Sequence, residues 1–180
     1  MEQEDLQSSL IKYLINVSAK NNFELTIGDK DVSLVKDKID GHKCASAIRF
    51  DVLNDDQRIF EIKNADIVIS MLPATLHFIV AQDCLKYKKN LVTASYVSKD
   101  IQSLNDQAQK QGVILLNEIG LDPGIDHMSA MKVIDDIKDR GRYQEFKSYC
   151  GGLVAPESII IHGTTNSHGI QGMLFWQDRV

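Results

Sequence analysis

Two aspartates stand where predicted strands end, a position at which a carboxylate can hold a sugar. Asp29 follows the strand predicted at residues 24–28, and Asp51 lies near the end of the strand predicted at residues 45–52. In open α/β sheets ligands bind at the carboxyl ends of the strands, and a carboxylate after the second strand can hold both hydroxyls of an adenosine ribose. The alternative for each aspartate is a helix N-cap in the turn that follows.

Hydroxyl groups and a phenol are predicted at the same edge of the sheet. Residues 70–74 (SMLPA) follow an apolar strand, and a loop of this kind, with its turn fixed by Pro73, can pass close to a cofactor. Residues 93–96 (TASY) follow the next strand and carry two hydroxyls and a phenol. Plain strand-to-helix connections and helix caps remain the alternatives, but the convergence of three strand ends favours a ligand site.

Residues 117–127 (NEIGLDPGIDH) are the richest segment in chemistry, with three carboxylates and a histidine beside two glycines and a proline. Asp126 stands at a predicted helix start, which is typical of an N-cap. His127 falls in the first helical turn, where a structural role is commoner than a catalytic one. Asp122, in a loop made rigid by proline, is the best candidate for contact with an amine or a cofactor ribose.

Alternating helices and strands position these residues. The apolar pattern predicts one helical face through Leu6, Leu10, Ile11, Leu14 and Val17, further helices at 32–39, 55–63, 76–87, 99–110 and 126–138, and strands at 24–28, 45–52, 66–72, 90–95, 112–117 and 145–150. Alternation of this kind predicts a doubly wound parallel sheet. The chain nevertheless opens on a helix, and residues 158–180 lead into no recognisable element.

Composition excludes several classes of function. The 180 residues are 43% hydrophobic and 25% charged, with a net charge of −5, which is typical of a globular domain and unlike a nucleic-acid binder. The apolar runs are too short to cross a membrane, and the acidic first residues do not resemble a secretory signal. Three cysteines without CxxC spacing predict reduced thiols in a cytoplasmic protein and no metal site. We therefore expect no nucleic-acid or membrane partner.

Four segments, in this order, resemble the saccharopine dehydrogenase family, in particular its glutamate-forming saccharopine reductase type: ADIVISMLPATLH, NLVTASYVS, NEIGLDPGIDHMSAMKVID and SYCGGLVAPES. The similarity covers about residues 8–158. It implies an N-terminal Rossmann domain, a catalytic domain inserted after it, and a homodimer in the full-length parent. It also implies NAD(P)-dependent oxidation or reduction at the secondary amine of saccharopine, a small-molecule substrate of lysine metabolism.

The resemblance also implies roles for individual residues. The cofactor would be lined by Asp29, Asp51, Met71, Thr93 and Ala94. Gly120, Leu121 and Asp122 would lie between cofactor and substrate, and saccharopine would be contacted by Ser95, Tyr96 and Asp122. An acid at Asp29, about 20 residues after the position of the family's glycine loop, is expected to bind a ribose 2′-hydroxyl and to favour NAD, although Lys30 next to it would soften the repulsion of a 2′-phosphate.

Both ends depart from the family pattern. The family has a first strand and a GAGxxA-type loop before the helix that here reads SSLIKYL, whereas residues 1–7 carry carboxylates and no glycine, and these would repel a pyrophosphate. After GGLVAPE the family continues like SDNNPWNYKFTWNPRN, whereas this chain reads SIIIHGTTNSHGIQGM. With synonymous codons chosen to fit, a one-base deletion at Ser158 and a one-base insertion near Gln7 reconcile both ends with the family.

The expected layout is therefore an incomplete Rossmann-type doubly wound parallel sheet plus the first strand of a truncated second domain. Residues 1–125 would form the NAD(P)-binding domain without its first strand and glycine loop, 126–157 the start of the substrate domain, and 158–180 an aberrant, frameshifted tail. The missing central strand should leave a gap in the sheet, and the chain is expected to be inactive. Two alternatives are a non-catalytic Rossmann-like module that binds a partner through its sheet edge, and a carboxynorspermidine-type dehydrogenase of the same family.

Overall fold

A computed structural model describes residues 6–138, residue 147 and residues 173–178, with side chains for residues 8–138 and 147. The helices are α1 (Leu6–Asn21), α2 (Val32–Ile39), α3 (Asp55–Asn64), α4 (His77–Lys86), α5 (Lys99–Ser103), α6 (Asn105–Gln111) and α7 (Ile125–Lys138), with a short 3-10 turn at Ala74–Leu76. The strands are β1 (Phe23–Asp29), β2 (Ala45–Arg49), β3 (Ile67–Ser70), β4 (Asn90–Thr93), β5 (Leu115–Leu116) and β6 (Met173–Asp178). The alternation predicted from the sequence is confirmed through residue 138, and the strand predicted at 145–150 lies outside the described residues.

The six strands form one sheet in the order β2-β1-β6-β3-β4-β5. Strand β1 runs parallel to β2, and β3 runs parallel to β4, which is parallel to β5. Strand β6 is antiparallel to both of its neighbours, β1 and β3. The fold is therefore the α/β, Rossmann-like arrangement expected from the sequence.

The expected gap at the centre of the sheet is wrong. In a doubly wound sheet of order 3-2-1-4-5-6 the middle position belongs to the first strand, and here β6 occupies it. Strands β1 and β3 each present a row of backbone N–H and C=O groups to that position, and leaving them unpaired in the interior is costly. Strand β6 lies within residues 158–180, for which no element was expected. It pairs with β1 and β3 in the antiparallel direction, which satisfies their backbone hydrogen bonds as a parallel strand would.

Local signals fix several element boundaries. The side chains of Asp31, Asn54 and Ser98 cap α2, α3 and α5 by accepting hydrogen bonds from backbone N–H groups. Gly112 ends α6 with a φ of 68°, a left-handed conformation that favours glycine. The single helix predicted at 99–110 is divided at Leu104 into α5 and α6.

The two larger of the three apolar clusters among the described residues hold the layers together. One joins α1 and α2 to β1 through Ile11, Leu25, Ile27 and Val35. The other lies where α3 and α4 cover β3 and β4, and its members include Ile62, Val68, Val80, Cys84 and Leu91. Among the described helices none has the length and apolarity needed to cross a membrane.

Helix α7 differs from the other long helices because none of its residues is buried. Four large apolar side chains on it are about half exposed or more: Ile125, Met128, Met131 and Val133. An exposed apolar group of this kind is typical of an interaction surface.

Candidate functional site

The residues singled out from the sequence collect at one edge of the sheet. Strands β1 and β3 are each antiparallel to β6, so they point the same way, and their parallel partners point with them. Asp29, Ser70 and Thr93, the last residues of three of these strands, therefore lie at a common edge. This is the carboxyl edge at which α/β sheets bind their ligands.

An apolar cleft of about 330 Å³ opens at the ends of β1, β2 and β3. It is lined by Gly28, Asp29, Lys30, Phe50, Val52, Leu53, Leu72, Pro73 and Leu76. A Cβ atom on Gly28 would lie 2.8 Å from Cβ of Phe50, so the absence of a side chain there lets the phenyl group pack on the strand. The volume is at the small end of ligand pockets and suits a flat heterocycle such as adenine, with carboxylates at the rim for its ribose.

The two rim aspartates are also tied to their own turns. Asp29 is 8% exposed, and its Oδ1 accepts a hydrogen bond of 2.8 Å from the backbone N–H of Asp31. Asp51 accepts a bond of 3.1 Å from the N–H of Leu53, which holds the pKa of its carboxyl below the usual value, and it lies 3.4 Å from Nζ of Lys30. Each carboxylate keeps a second oxygen, so the turn-forming and ribose-binding interpretations are compatible.

Two loops meet beside the end of β4. The backbone N–H of Ile119 donates to the carbonyl of Thr93 over 3.2 Å, and that of Glu118 donates to the carbonyl of Ser95 over 3.1 Å. The Glu118 carboxylate adds a third hydrogen bond between the two segments, because it accepts from the backbone N–H of Val97. The segment after β5 is thereby fastened to the segment after β4, so residues 93–96 and 118–124 form one surface.

Glycines make this contact possible. A Cβ on Gly120 would lie 3.1 Å from both the Cβ and the carbonyl oxygen of Ala94, tighter than almost all real contacts. Gly124 has a φ of 149°, and a Cβ there would lie 2.2 Å from the carbonyl oxygen of Gly120. Backbone therefore approaches backbone at Ala94, and the two loops are held in direct contact there.

Tyr96 and Asp122 form the polar pair of this surface. The Tyr96 hydroxyl donates to Oδ1 of Asp122 over 2.9 Å, and this bond raises the pKa of the phenol. Asp122 is exposed and Tyr96 is 63% exposed, so both face solvent. Leu121 beside them is 58% exposed, whereas Met71 is half-buried and packs against the cluster around β1. An ionised carboxylate fixed by a phenol can accept a hydrogen bond from a protonated amine.

Two polar residues of the site escaped sequence reasoning. His77 is buried, with its Nδ1 2.8 Å from Ser70 Oγ and its Nε2 2.8 Å from Ser95 Oγ. Arg58 is buried beneath the cleft, where it pairs with Asp83 and donates to the carbonyl of Val52. The signal for His77 was its place at the start of an apolar helix that follows a buried strand. The sequence carries no such signal for Arg58, because its helix has several charged residues and their pattern does not indicate which of them faces the interior.

The expectation for Asp126 is wrong in detail. Helix α7 begins at Ile125, one residue earlier, and the Asp126 carboxylate accepts from the N–H of Gly124 instead of capping the first turn. His127 lies 2.8 Å from the same carboxylate and is exposed, and its structural role stays a prediction. Within the described ranges, no group of three or more His, Cys, Asp or Glu side chains could hold a metal ion.

A doubly wound sheet with an adenine-sized cleft and acids at its rim defines a dinucleotide-binding domain. Residues 12–116 match the family model described as the saccharopine dehydrogenase NADP binding domain, and residues 120–174 match the saccharopine dehydrogenase C-terminal domain. The chain belongs to the saccharopine dehydrogenase family, and its cofactor is NAD(P).

Curated relatives and a solved structure agree with this membership. An alpha-aminoadipic semialdehyde synthase of Arabidopsis thaliana is 43% identical over 122 residues, covering 67% of this chain and 12% of the relative. The saccharopine dehydrogenase [NADP(+), L-glutamate-forming] of Pyricularia oryzae is 37% identical over 145 residues, or 80% and 32% of the two chains. The apo saccharopine dehydrogenase (L-Glu forming) of Saccharomyces cerevisiae superposes with a TM-score of 0.62 at 31% identity, covering 72% of this chain and 29% of that one. The chain thus spans about a third or less of the length of these relatives.

Proposed function

We propose that this chain is the cofactor-binding part of a saccharopine dehydrogenase-like oxidoreductase and carries one wall of its substrate site. The observation that carries the proposal is the placement of the adenine-sized cleft and the Tyr96–Asp122 pair on one sheet edge. A dinucleotide laid along that edge would have its adenosine in the cleft and its nicotinamide near Ala94 and Gly120. The bound cofactor would supply the hydride chemistry.

The chain's own residues would bind and orient the reactants. Asp29 and Asp51 would accept hydrogen bonds from a ribose. The close contact of Gly120 with Ala94 would hold the two loops together beside the nicotinamide, while Leu121 would cover the ring from water. Asp122 would accept a hydrogen bond from the protonated secondary amine of saccharopine and turn the carbon next to it towards the nicotinamide. The Tyr96 hydroxyl would hold the carboxylate in place for that contact.

The choice between NAD and NADP would rest on two neighbouring residues. An acid at Asp29 disfavours a 2′-phosphate, whereas the names of the relatives from Pyricularia oryzae and Saccharomyces cerevisiae specify NADP(+). Asp29 is mostly buried in its own turn, while the Lys30 side chain beside it is 68% exposed. Competing titrations with NADH and NADPH measure the balance directly.

Binding of NADPH, followed by the fluorescence of the reduced nicotinamide, tests the proposal. Gly28→Ala should weaken binding severalfold, because the added methyl must displace Phe50 from the wall of the cleft. Ser103→Ala is the control, because this exposed hydroxyl on α5 is not among the residues that line the cleft and bonds only the carbonyl of Asp100. Absence of binding by the parent chain, or equal affinity in Gly28→Ala, would contradict the proposed site. Saccharopine-dependent reduction of the cofactor, assayed in parallel, tests the expectation that the 180-residue chain itself shows no turnover.

A second candidate is a module that binds a protein partner without catalysis. It is favoured by the exposed apolar side chains of α7. The two candidates separate in the same titration, since a partner-binding module has no need of NADPH affinity.

We propose the cytosol as the compartment. Cys44 and Cys84 are free thiols, and burial raises the pKa of Cys84 to about 12, so that this sulfur stays protonated and inert. Fractionation of cells that express a tagged chain checks the assignment.

A further inference from the structure

A cluster of four polar side chains lies behind the candidate substrate surface. His77 is at its centre, with Ser70 at Nδ1 and with Ser95 and Thr93 at Nε2, at 2.8, 2.8 and 3.0 Å. Ser70, His77 and Thr93 are all buried, at 3% exposure or less. Ser95 is half-buried and is the one member that reaches the surface where Tyr96 and Asp122 stand.

The imidazole is uncharged within this cluster. Burial lowers the pKa of His77, and its polar contacts within residues 8–138 are three hydroxyl groups and no carboxylate. A neutral imidazole has one N–H and one lone pair, so each ring nitrogen can bond a hydroxyl. The ring thereby joins the end of β3 to the segment after β4.

Ser95 is restrained from three directions. Its backbone N–H donates to Thr93 Oγ1 over 3.2 Å, and its carbonyl accepts from the backbone N–H of Glu118. Its hydroxyl is hydrogen-bonded to Nε2 of His77. A serine hydroxyl free in solvent would sample several rotamers, and fixing it in advance reduces the entropy lost when a ligand binds.

We propose that His77 is a positioning residue: its Nε2–H donates to the Ser95 hydroxyl and fixes it, so that the proton of the hydroxyl can be donated to a carboxylate of the bound amino acid. This inference rests on the proposed function, because the carboxylate belongs to a saccharopine-like substrate. The site would then recognise both poles of such a molecule, with Asp122 accepting from its amine and Ser95 donating to its carboxylate. His77 itself would not touch the ligand.

A double-mutant cycle tests whether His77 acts through Ser95. The measurement is the Kd of saccharopine for the full chain saturated with NADPH. Ser95→Ala should weaken binding about ten- to a hundredfold, as expected for a bond to a charged group, and His77→Leu about two- to tenfold. In the Ser95→Ala background, His77→Leu should change the Kd by less than about twofold. Equal effects of His77→Leu in both backgrounds would overturn the proposal.

Conservative replacement separates positioning from mere packing. His77→Gln keeps an amide near the place of Nε2 and should restore most of the affinity lost in His77→Leu. Ser103→Ala is the control, since this exposed hydroxyl bonds only the backbone of its own helix. If Gln binds as weakly as Leu, the hydrogen bond to Ser95 is not what His77 provides.

Side-chain NMR tests His77 independently of the proposed function. The β-proton couplings of Ser95 should report a single rotamer in the parent chain and averaged rotamers in His77→Leu. Averaged couplings in the parent chain would overturn the proposal whether or not saccharopine binds. The chain could also show a single Ser95 rotamer but bind neither NADPH nor saccharopine. That result would support the restraint of Ser95 by His77, and it would overturn both the proposed function and the proposed hydrogen bond from Ser95 to a substrate carboxylate.

Discussion

The Arg58–Asp83 ion pair should be worth far more to stability than a surface pair of the same length. The Nε of Arg58 lies 2.7 Å from Oδ2 of Asp83, and the two side chains are 9% and 13% exposed. Lys132 and Asp136 lie 2.9 Å apart on α7, but their side chains are 74% and 59% exposed. Distance and charge are nearly matched, so the two pairs differ in burial and in the further bonds that Arg58 makes to Asp55 and to the carbonyl of Val52.

The expected loss in the free energy of unfolding depends on which hydrogen-bond partners remain after each substitution. Arg58→Met leaves the Asp83 carboxylate and the Val52 carbonyl without their donor, so we expect a loss of about 3–5 kcal/mol in the free energy of unfolding. Asp83→Leu should cost about 2–3 kcal/mol, less than the full penalty, because Asp55 still lies 2.9 Å from the guanidinium. The double variant should recover most of the loss, since an apolar pair often replaces a buried ion pair without cost.

Urea unfolding of the four proteins, followed by circular dichroism, measures the coupling energy. The matched cycle of Lys132→Met and Asp136→Leu should give about 0.3–0.5 kcal/mol. Arg58→Met should also weaken NADPH binding, since Arg58 holds the carbonyl of Val52, which lines the cleft. A coupling energy for Arg58–Asp83 as small as that of the surface pair would refute the reasoning from burial.

Further outcomes are expected at the site and in the sheet. In a full-length family member that carries these residues, Asp122→Ala should lower kcat/KM for saccharopine about ten- to a hundredfold with little change in cofactor affinity. Asp122→Asn should recover only part of the loss, and unchanged kinetics would remove Asp122 from the site. In the present chain, Asp122→Asn should lower the pKa of Tyr96 towards its ordinary value of about 10, because the hydrogen bond to the carboxylate stabilises the protonated phenol; a tyrosinate absorbance titration, with Tyr96→Phe subtracted, would show no shift if the bond is absent. Asp29→Ser should raise affinity for NADPH relative to NADH, and an unaltered ratio would mean that Asp29 does not contact the ribose. Backbone amides of β6 should exchange with solvent as slowly as those of β1 and β3, and rapid exchange of residues 173–178 would contradict their central place.

Sequence reasoning succeeded where the signal was local. The apolar run of β3 and the helices predicted at 32–39 and 55–63 each depend on neighbours within a few residues. The strand ends could be predicted to meet because parallel strands of one sheet share an edge. Asp29 and Thr93 lie at one edge for this reason, as the sequence predicts.

What escaped prediction depends on contacts between distant segments. The His77 ring becomes part of the site only when β3, α4 and the segment after β4 come together. Arg58 lies inward because Asp83, on another helix, faces it. The position of β6 is the clearest example. It pairs with β1 and β3, and neighbouring residues in the sequence do not indicate that these two strands leave an edge unpaired.

The placement of β6 also has a consequence for synthesis. All other described strands precede it in the chain, so both halves of the sheet leave the ribosome before the strand that joins them. At about 5–20 residues per second, roughly 5–20 seconds pass between the emergence of Ser70 and that of Asp178. During that interval the facing edges of β1 and β3 are open to any other extended peptide. A nascent chain of this design would depend on chaperones for those seconds, and slow codons between β5 and β6 would lengthen its exposure to aggregation.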